Sequence, residues 1–529
     1  MTIENSALPT LDRISDYVSH YGDTQPEVEA VIHGSTRLTW HELAQQVDQC
    51  ARAFLALGIG KGDRVCVLST PRPEFWITFL AAARIGAIWT GLNPRYTRRE
   101  MAHVLGDATP KVLMSLRHDG ARDFSKDISE LAVEFAIPRA VWFGTPEDTF
   151  ETFLALGNAV PEQMLADATA AVGPDDPCLI VYTSGSSGSP KGAVIPHRGP
   201  CFCSRLQNCG WGARTDRTRI INFFPINHLA CVVDISCLAL ASGGTLVFME
   251  QFDPQASLAT IEAEKITVLG GVPTMLQFIF GRDDLDAYDL TSLETIAVGG
   301  AAAPEALVRL MQAYAPLVST GYGSTETVGQ MTFSPPGATL EQIAGSIGLP
   351  VPEYDLRIAD GNGVPVAPGD SGEIQVRGRF LFQEYLNQPD ATAESFTQDG
   401  WFCTGDIVVE RPDGYWKMVG RLSDMYKSGG YNIYPREIEA CLEAHPLIEI
   451  AAVIGVPNAT YQEVGHAFFQ VKQGAAGDTL TADVLRDHCG TLLANYKIPK
   501  AFTILPELPM LPVGKVDKMA LKRIANQPD

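Results

Sequence analysis

Positive charge is scarce in this chain: 40 Lys and Arg stand against 62 Asp and Glu, a formal charge of −22 over 529 residues. A field of that sign repels phosphate backbones and anionic bilayers at long range, which argues against nucleic acid as a partner. Small polyanions must then be held by local patches. From Asp424 onward ten Lys/Arg nearly balance twelve Asp/Glu, leaving −20 on the first 423 residues. Lys497, Lys500, Lys515, Lys518, Lys522 and Arg523 make that tail a candidate anion-facing surface. The eleven cysteines include no Cys-x-x-Cys pair, so neither a disulfide nor a zinc framework is expected and the thiols read as reduced. Cys201, Cys203 and Cys209 cluster without any histidine spacing and read as core. Long hydrophobic runs are missing too. The most apolar window, 229–241, is interrupted by Asp234 and is too short to span a bilayer. No basic segment followed by an apolar one opens the chain, and Asn-Gln-Pro-Asp at its end is no peroxisomal address. The expectation is a cytoplasmic protein without integral membrane association, its oligomeric state open, with a homodimer among the options.

What is present is size and alternation. A chain of 529 residues with 46% hydrophobic side chains exceeds the size at which one core stops growing, so at least two folding units are expected. Thr39 and Glu42 form a capping box, and Leu43, Val47, Cys50, Phe54 and Leu57 follow at helical spacing until Gly58. Buried strands at 65–68 and 112–114 flank a helix at 74–85, and the alternation resumes through strands at 220–224, 245–248, 268–269 and 295–298. Such alternation predicts parallel βαβ units with helices on both faces. Between Gly337 and Gly420 short strands are split by turns such as Asp360-Gly-Asn-Gly363 and Pro412-Asp-Gly414, which predicts a small β-rich subdomain. After Arg421, Pro435 opens a helix, 450–456 and 467–471 read as strands, and Thr481 caps a second helix. The expected fold is α/β: an N-terminal lobe over 1–422, with α/β subdomains at about 1–175 and 176–335 and a β-rich one at about 336–420, then an α+β lobe over 423–529.

The chemically richest stretch is Tyr-Thr-Ser-Gly-Ser-Ser-Gly-Ser-Pro-Lys-Gly over 182–192. Glycines let backbone N–H groups approach an anion, hydroxyls donate further bonds, and Lys191 adds a positive charge. A Walker loop would run Gly-Lys-Ser/Thr straight into a helix. Here Pro190 precedes the lysine, and Gly192 to Ile195 lead to Pro196, so a second short strand fits better.

Four companions follow in order: Tyr322-Gly-Ser-Thr-Glu326, Thr404-Gly-Asp406, Gly420-Arg421 and Pro512-Val-Gly-Lys515. With the first loop they resemble the adenylate-forming (AMP-binding) superfamily, which includes acyl- and aryl-CoA synthetases, peptide-synthetase adenylation domains and beetle luciferases. The resemblance covers about 38–523 and is closest to the acid–thiol ligase type. It implies ATP, Mg2+ and coenzyme A as reactants and a small carboxylic acid as substrate. Thr183, Ser184, Gly185, Ser186, Ser187, Gly188 and Lys191 resemble the family's phosphate loop, and Glu326 its Mg2+ ligand. Tyr322 is similar to the adenine wall, facing Gly299-Gly300-Ala301, with Gly323 and Ser324 in the same motif and Thr325 at the α-phosphate. Asp406 resembles the ribose acceptor, supported by Arg421, and Lys515 resembles the mobile catalytic lysine. His228, in Pro-Ile-Asn-His, resembles the gate between acyl pocket and pantetheine tunnel. Lys427, Ser428, Gly429 and Gly430 resemble the coenzyme A tunnel.

The resemblance places a hinge at Ser423, where the family has Asp or Lys; in this chain the acid stands at Asp424. Adenylation domains for amino acids carry Asp directly after the histidine, whereas this chain has Leu229. An unpaired ammonium in a dry pocket is costly, so the implied acid lacks an α-amino group. By position the acyl lining is His228, Cys231, Val232, Gly270, Gly271, Gly299, Gly321, Val328 and Gly329. Its glycines suggest room and the rest is apolar, so a bulky aryl, cycloaliphatic or medium-chain acid is expected. Loading of a carrier-protein thiol and a luciferase-like oxygenase remain as alternatives.

Overall fold

In the computed structural model, residues 8–143, 150–183, 190–211, 218–472, 474, 477–511 and 515–526 are described. By their contacts they form two compact units: Met1–Asp355 with Arg377–Gly400, and Leu356–Val376 with Trp401–Asp529.

The first unit is built on two sheets. The seven-stranded one runs in the order Glu384–Tyr385, Lys191–Pro196, Pro177–Thr183, Ile88–Leu92, Arg64–Leu68, Val112–Leu116, Arg139–Phe143. Its βαβ core is parallel, as the alternation predicts, while Lys191–Pro196 pairs antiparallel with both neighbours. The nine-stranded sheet runs Leu349–Pro350, Gly329–Phe333, Leu317–Ser324, Thr295–Val298, Val268–Gly271, Arg219–Asn222, Thr245–Phe248, Glu29–His33, Thr36–Thr39.

These sheets do not follow the expected sequential split near 175/176. Pro177–Thr183 and Lys191–Pro196 complete the first sheet, whereas the N-terminal hairpin joins the second, with Val31 in parallel register with Leu246. Strand periodicity reports that a strand exists but not which open edge accepts it. Helix Pro73–Arg84 is apolar all round and buried from Phe75 to Ala83, the pattern of a helix enclosed on every side. Phe75 touches Trp89 of one sheet and Phe248 of the other, with ring centroids 6.0 and 5.4 Å apart, so the two sheets share this element. The Thr39 capping box is formed as expected and starts helix Trp40–Ala56.

The second unit contains an antiparallel sheet of Asp355–Ala359, Ser371–Arg377, Phe402–Glu410 and Trp416–Arg421. Sequence periodicity groups these turn-rich strands with the N-terminal lobe, yet by contacts they go with the C-terminal residues. Helix Pro435–Glu443 packs on Trp416–Arg421, and Gly420 lies so close to Tyr434 that a Cβ there would sit 2.9 Å from the tyrosine's own. The remaining strands, Tyr426–Ser428, Tyr431–Ile433, Ile448–Asn458, Gln462–Val471 and Ala501–Ile504, form one sheet. Ile438, Leu442, Val453, Phe469 and Leu485 fill its core against Pro435–Glu443 and Ala482–Leu492.

Candidate active site

Each unit carries part of the predicted site. In the first, the phosphate-loop stretch is a hairpin: Thr183 and Lys191 face each other across antiparallel strands, and no helix follows the lysine. Ser184, Gly185, Ser186, Ser187 and Gly188 lie outside the described residues. At the base of the hairpin the Pro190 carbonyl pairs with His103 Nε2 at 2.8 Å, and Lys191 Nζ stands 5.1 Å from the centre of the Tyr385 ring.

Glu326 follows strand Leu317–Ser324, in the turn before Gly329–Phe333. Ser324 N donates to Thr327 Oγ1 at 2.7 Å, and Thr327 Oγ1 donates to the Gly329 carbonyl at 2.8 Å, which closes the turn. Val328 and Gly329 are held at φ 59° and 120°, and Gly329 needs its freedom because a Cβ would overlap the Cys203 sulfur. This geometry presents Glu326 to Tyr385: the tyrosine hydroxyl donates to Glu326 Oε1 at 2.9 Å, and Phe382 N donates to the Glu326 carbonyl at 2.9 Å. Burial and then the Glu326 charge push the Tyr385 phenol far above its ordinary value, so it remains a donor. One side chain therefore orients the candidate metal ligand and carries the candidate phosphate lysine on its ring face.

The other first-unit residues sit at carboxyl ends of adjacent parallel strands. Gly270 and Gly271 end Val268–Gly271, Gly299 to Ala301 follow Thr295–Val298, and Tyr322 to Thr325 close Leu317–Ser324 or follow it. That is the end of an open α/β sheet where ligands bind. Tyr322 is 7% exposed and its N–H donates to Thr332 Oγ1. His228 follows Arg219–Asn222, the next strand, and its Nδ1 accepts from Ala230 N at 3.1 Å, which leaves its proton on Nε2. It opens the turn Ala230–Cys237, wound as a π-helix, a form that recurs at functional sites. Cys231 and Val232 on this turn are buried.

The glycines expected to open the acyl chamber are filled by neighbours instead. A Cβ on Gly270 would meet Ile235 Cδ1 at 2.7 Å, on Gly271 Leu276 Cγ at 2.8 Å, and on Gly321 the Thr332 carbonyl at 2.6 Å. These positions are glycine because other atoms occupy that space.

In the second unit, Asp406 and Arg421 face each other across Phe402–Glu410 and Trp416–Arg421. Arg421 Nε donates to Asp406 Oδ1 at 2.7 Å and Nη2 to Oδ2 at 3.3 Å; the carboxylate is 1% exposed and the guanidinium 54%. Lys515 is at the surface, and its carbonyl accepts from Leu511 N at 2.6 Å. Although solvent reaches it, crowding by protein and then the nearby Arg421 charge push its ammonium below the ordinary lysine value, with Asp406 pulling it back. Three predicted nucleotide-site residues thus share one neighbourhood. Lys427, Ser428, Gly429 and Gly430 form a hairpin turn with both glycines at positive φ, 57° and 85°, and Gly430 faces open space. Ser423 Oγ reaches Asp424 Oδ1 at 3.5 Å, and Asp424 Oδ2 accepts from Lys518, which is also bound by Glu439. The acid displaced from the expected hinge position is therefore held within the second unit's own ion network.

Sequence reasoning missed Tyr385. It stands in a two-residue strand between Glu384 and Leu386, paired with Ala193, and no periodicity marks it.

Among known proteins, the model of the AMP-binding enzyme family matches residues 18–386, and that of the AMP-binding enzyme C-terminal domain matches 437–515. A feruloyl-CoA synthase from an Amycolatopsis species is 35% identical over 506 residues, 94% of this chain and 96% of that protein. An indoleacetate–CoA ligase from Aromatoleum aromaticum is 33% identical, with 97% and 98% covered. Among solved structures, ATP-bound MatB from Rhodopseudomonas palustris superposes with a TM-score of 0.83 at 26% identity, covering 97% of this chain and 99% of that one. A Mycobacterium tuberculosis fatty acyl CoA synthetase gives 0.73 at 28%, covering 97% and 98%. With both family models matched in order, and with relatives above 30% identity aligned along nearly their whole length, the chain belongs to the AMP-binding enzyme family.

Proposed function

We propose that this enzyme is an ATP-dependent carboxylic acid–CoA ligase. The acid's carboxylate oxygen attacks the α-phosphorus of ATP and the bond to pyrophosphate breaks. The thiol of coenzyme A then attacks the acyl carbonyl of the adenylate, and AMP leaves. The observation that carries this reading is the Glu326–Tyr385–Lys191 arrangement, a hard carboxylate and a cation oriented by one phenol on an α/β sheet.

The donor set fits Mg2+. Among the described residues no cluster of three ligating side chains exists, and Glu326 offers one carboxylate with Oε1 held by Tyr385. Mg2+ is commonly held that way, by one or two carboxylates, phosphate oxygens and water. When bound it would neutralise charge on the β- and γ-phosphates. Lys191 adds a second positive charge there, Tyr322 offers an aromatic face to adenine, and Asp406, paired with Arg421, supplies the carboxylate that accepts the ribose hydroxyls. Lys515 supplies positive charge where the carboxylate meets the α-phosphate. His228, with Nδ1 held by Ala230 N, serves as the gate before the thiol route. The small lobe reorients about Ser423 to exchange Lys515 for the Gly429-Gly430 turn. The acid is hydrophobic, of aryl, cycloaliphatic or medium-chain type, in keeping with buried Cys231, Val232 and Val328.

Pyrophosphate release over a panel of acids, with and without coenzyme A, tests the reading. The expected result is acid-dependent release and a CoA thioester as product. Best activity on acetate or propionate overturns the substrate class, and an acyl-adenylate that never passes to coenzyme A overturns the acceptor.

A further inference from the structure

One charged side chain stands on the Ala230–Cys237 turn that His228 opens, and the reaction above makes no use of it. Asp234 lies among neutral groups. Gly329 of the Glu326 turn is so near that a Cβ there would sit 3.0 Å from Asp234 Oδ1, and the Cys203, Cys237 and Tyr354 side chains are close enough to feel its charge. Gln207 Nε2 donates to Oδ1 at 2.5 Å, whereas Oδ2 accepts no hydrogen bond among the described residues, and the residue keeps part of its surface exposed. No lysine or arginine of the described residues offsets its charge, and burial pushes its carboxyl up to about 6.

A second acceptor stands one residue beyond Gly329 along the same strand. Gln330, next in sequence to Gly329, is 8% exposed, and its Oε1 is buried with no hydrogen-bond partner. Its amide lies against Gly299 and Gly321, where added Cβ atoms would come within 3.1 Å of Nε2 and 2.8 Å of Cδ. Both Gly299 and Gly321 belong to the expected acyl lining. A buried acceptor without a donor, as Gln330 Oε1 is, is costly, and the partly open Asp234 Oδ2, which accepts from no described residue, is placed to take a hydrogen bond from a ligand that donates.

We propose that Asp234 is a specificity-determining residue, and that the acid this enzyme activates carries a hydrogen-bond donor, a hydroxyl or an N–H, on its apolar body. The donor meets Asp234 Oδ2, and Gln330 Oε1 receives a second donor or a bound water. The inference rests on the acid-activating role proposed above and narrows its substrate class. It also explains why an apolar turn interrupted by one acid is kept beside the histidine.

The test compares 3-phenylpropanoates bearing a ring hydroxyl at each position with the same acids bearing a methyl there. Wild-type enzyme should favour the best hydroxylated acid over its methyl counterpart by about ten- to hundred-fold in kcat/KM. Asp234→Asn, matched in size, should cut that ratio several-fold through KM, and Asp234→Val should bring it to one or below, both with unchanged circular dichroism. A ratio that is the same in wild type and both variants, or a wild-type preference for methyl at every position, overturns the assignment. If no acid gives pyrophosphate, the ligase reading has failed by itself. Calorimetric binding of the same pairs then decides the role of Asp234 through the ratio of their Kd values.

Discussion

Replacing Tyr385 by phenylalanine removes one oxygen and leaves the ring. In the native enzyme that oxygen donates to Glu326 Oε1 at 2.9 Å, and the ring holds Lys191 Nζ at 5.1 Å and Phe382 at 4.9 Å between centroids. A hydrogen bond to a charged acceptor contributes about 1.5–3 kcal/mol, and losing the partner that orients a metal ligand typically weakens metal affinity about 10- to 100-fold. Tyr385→Phe should therefore raise the Mg2+ concentration for half-maximal adenylation by about 10- to 100-fold. The rate at saturating Mg2+ and the unfolding midpoint should change little, because a phenyl ring fills the same buried space. Tyr385→Leu also removes the ring face from Lys191, worth about 0.5–1 kcal/mol more, and should raise KM for ATP as well. Pyrophosphate release titrated with free Mg2+ reads both effects. A Tyr385→Phe enzyme that is folded yet half-saturates within two-fold of wild type refutes the idea that this phenol orients a metal-binding Glu326.

Three further outcomes follow from other parts of the structure. Lys515→Ala should slow adenylation by about 10²- to 10³-fold while leaving thioester formation from supplied acyl-adenylate largely intact. Because crowding by protein and the Arg421 charge depress the Lys515 ammonium, adenylation by wild type should decline on the alkaline side below the ordinary lysine range, and Lys515→Arg should move that limb upward; equal loss of both half-reactions, or an unmoved limb, contradicts this. Gly329→Ala places a Cβ against the Cys203 sulfur at φ 120° and should destabilise by about 1–3 kcal/mol from overpacking, partly restored by adding Cys203→Ala, as read from thermal midpoints. The Glu250 carboxyl is held down to about 2, first by its bond with His33, with Thr70 also donating to it. Its contribution is complete above the unfolded carboxylate range and is lost as pH falls through about 2, so Glu250→Gln should flatten the acid limb of stability; an unchanged acid midpoint speaks against it.

The chain's own order of residues determined a good deal. The alternation that fixes parallel βαβ units, the hairpin around Lys191, the helix starts at Thr39, Pro435 and Thr481, and the five motifs of the family are local patterns of period, turn chemistry and spacing. Local patterns survive in one dimension, because each depends on residues within a few positions of one another. Tertiary structure alone decided which sheet receives the 29–39 hairpin, since an edge strand pairs with whatever edge is open 200 residues away. It also joined the 355–421 sheet by contacts to the C-terminal residues, through the close passage of Tyr434 over Gly420. The glycines at 270, 271 and 321 read as room in the sequence and are occupied space in the fold, because only the neighbours' positions distinguish a void from a close contact. Tyr385 and Asp234 were illegible for the same reason: a tyrosine in a two-residue strand and an acid in an apolar turn acquire meaning only when folding sets one against Glu326 and the other against Gly329.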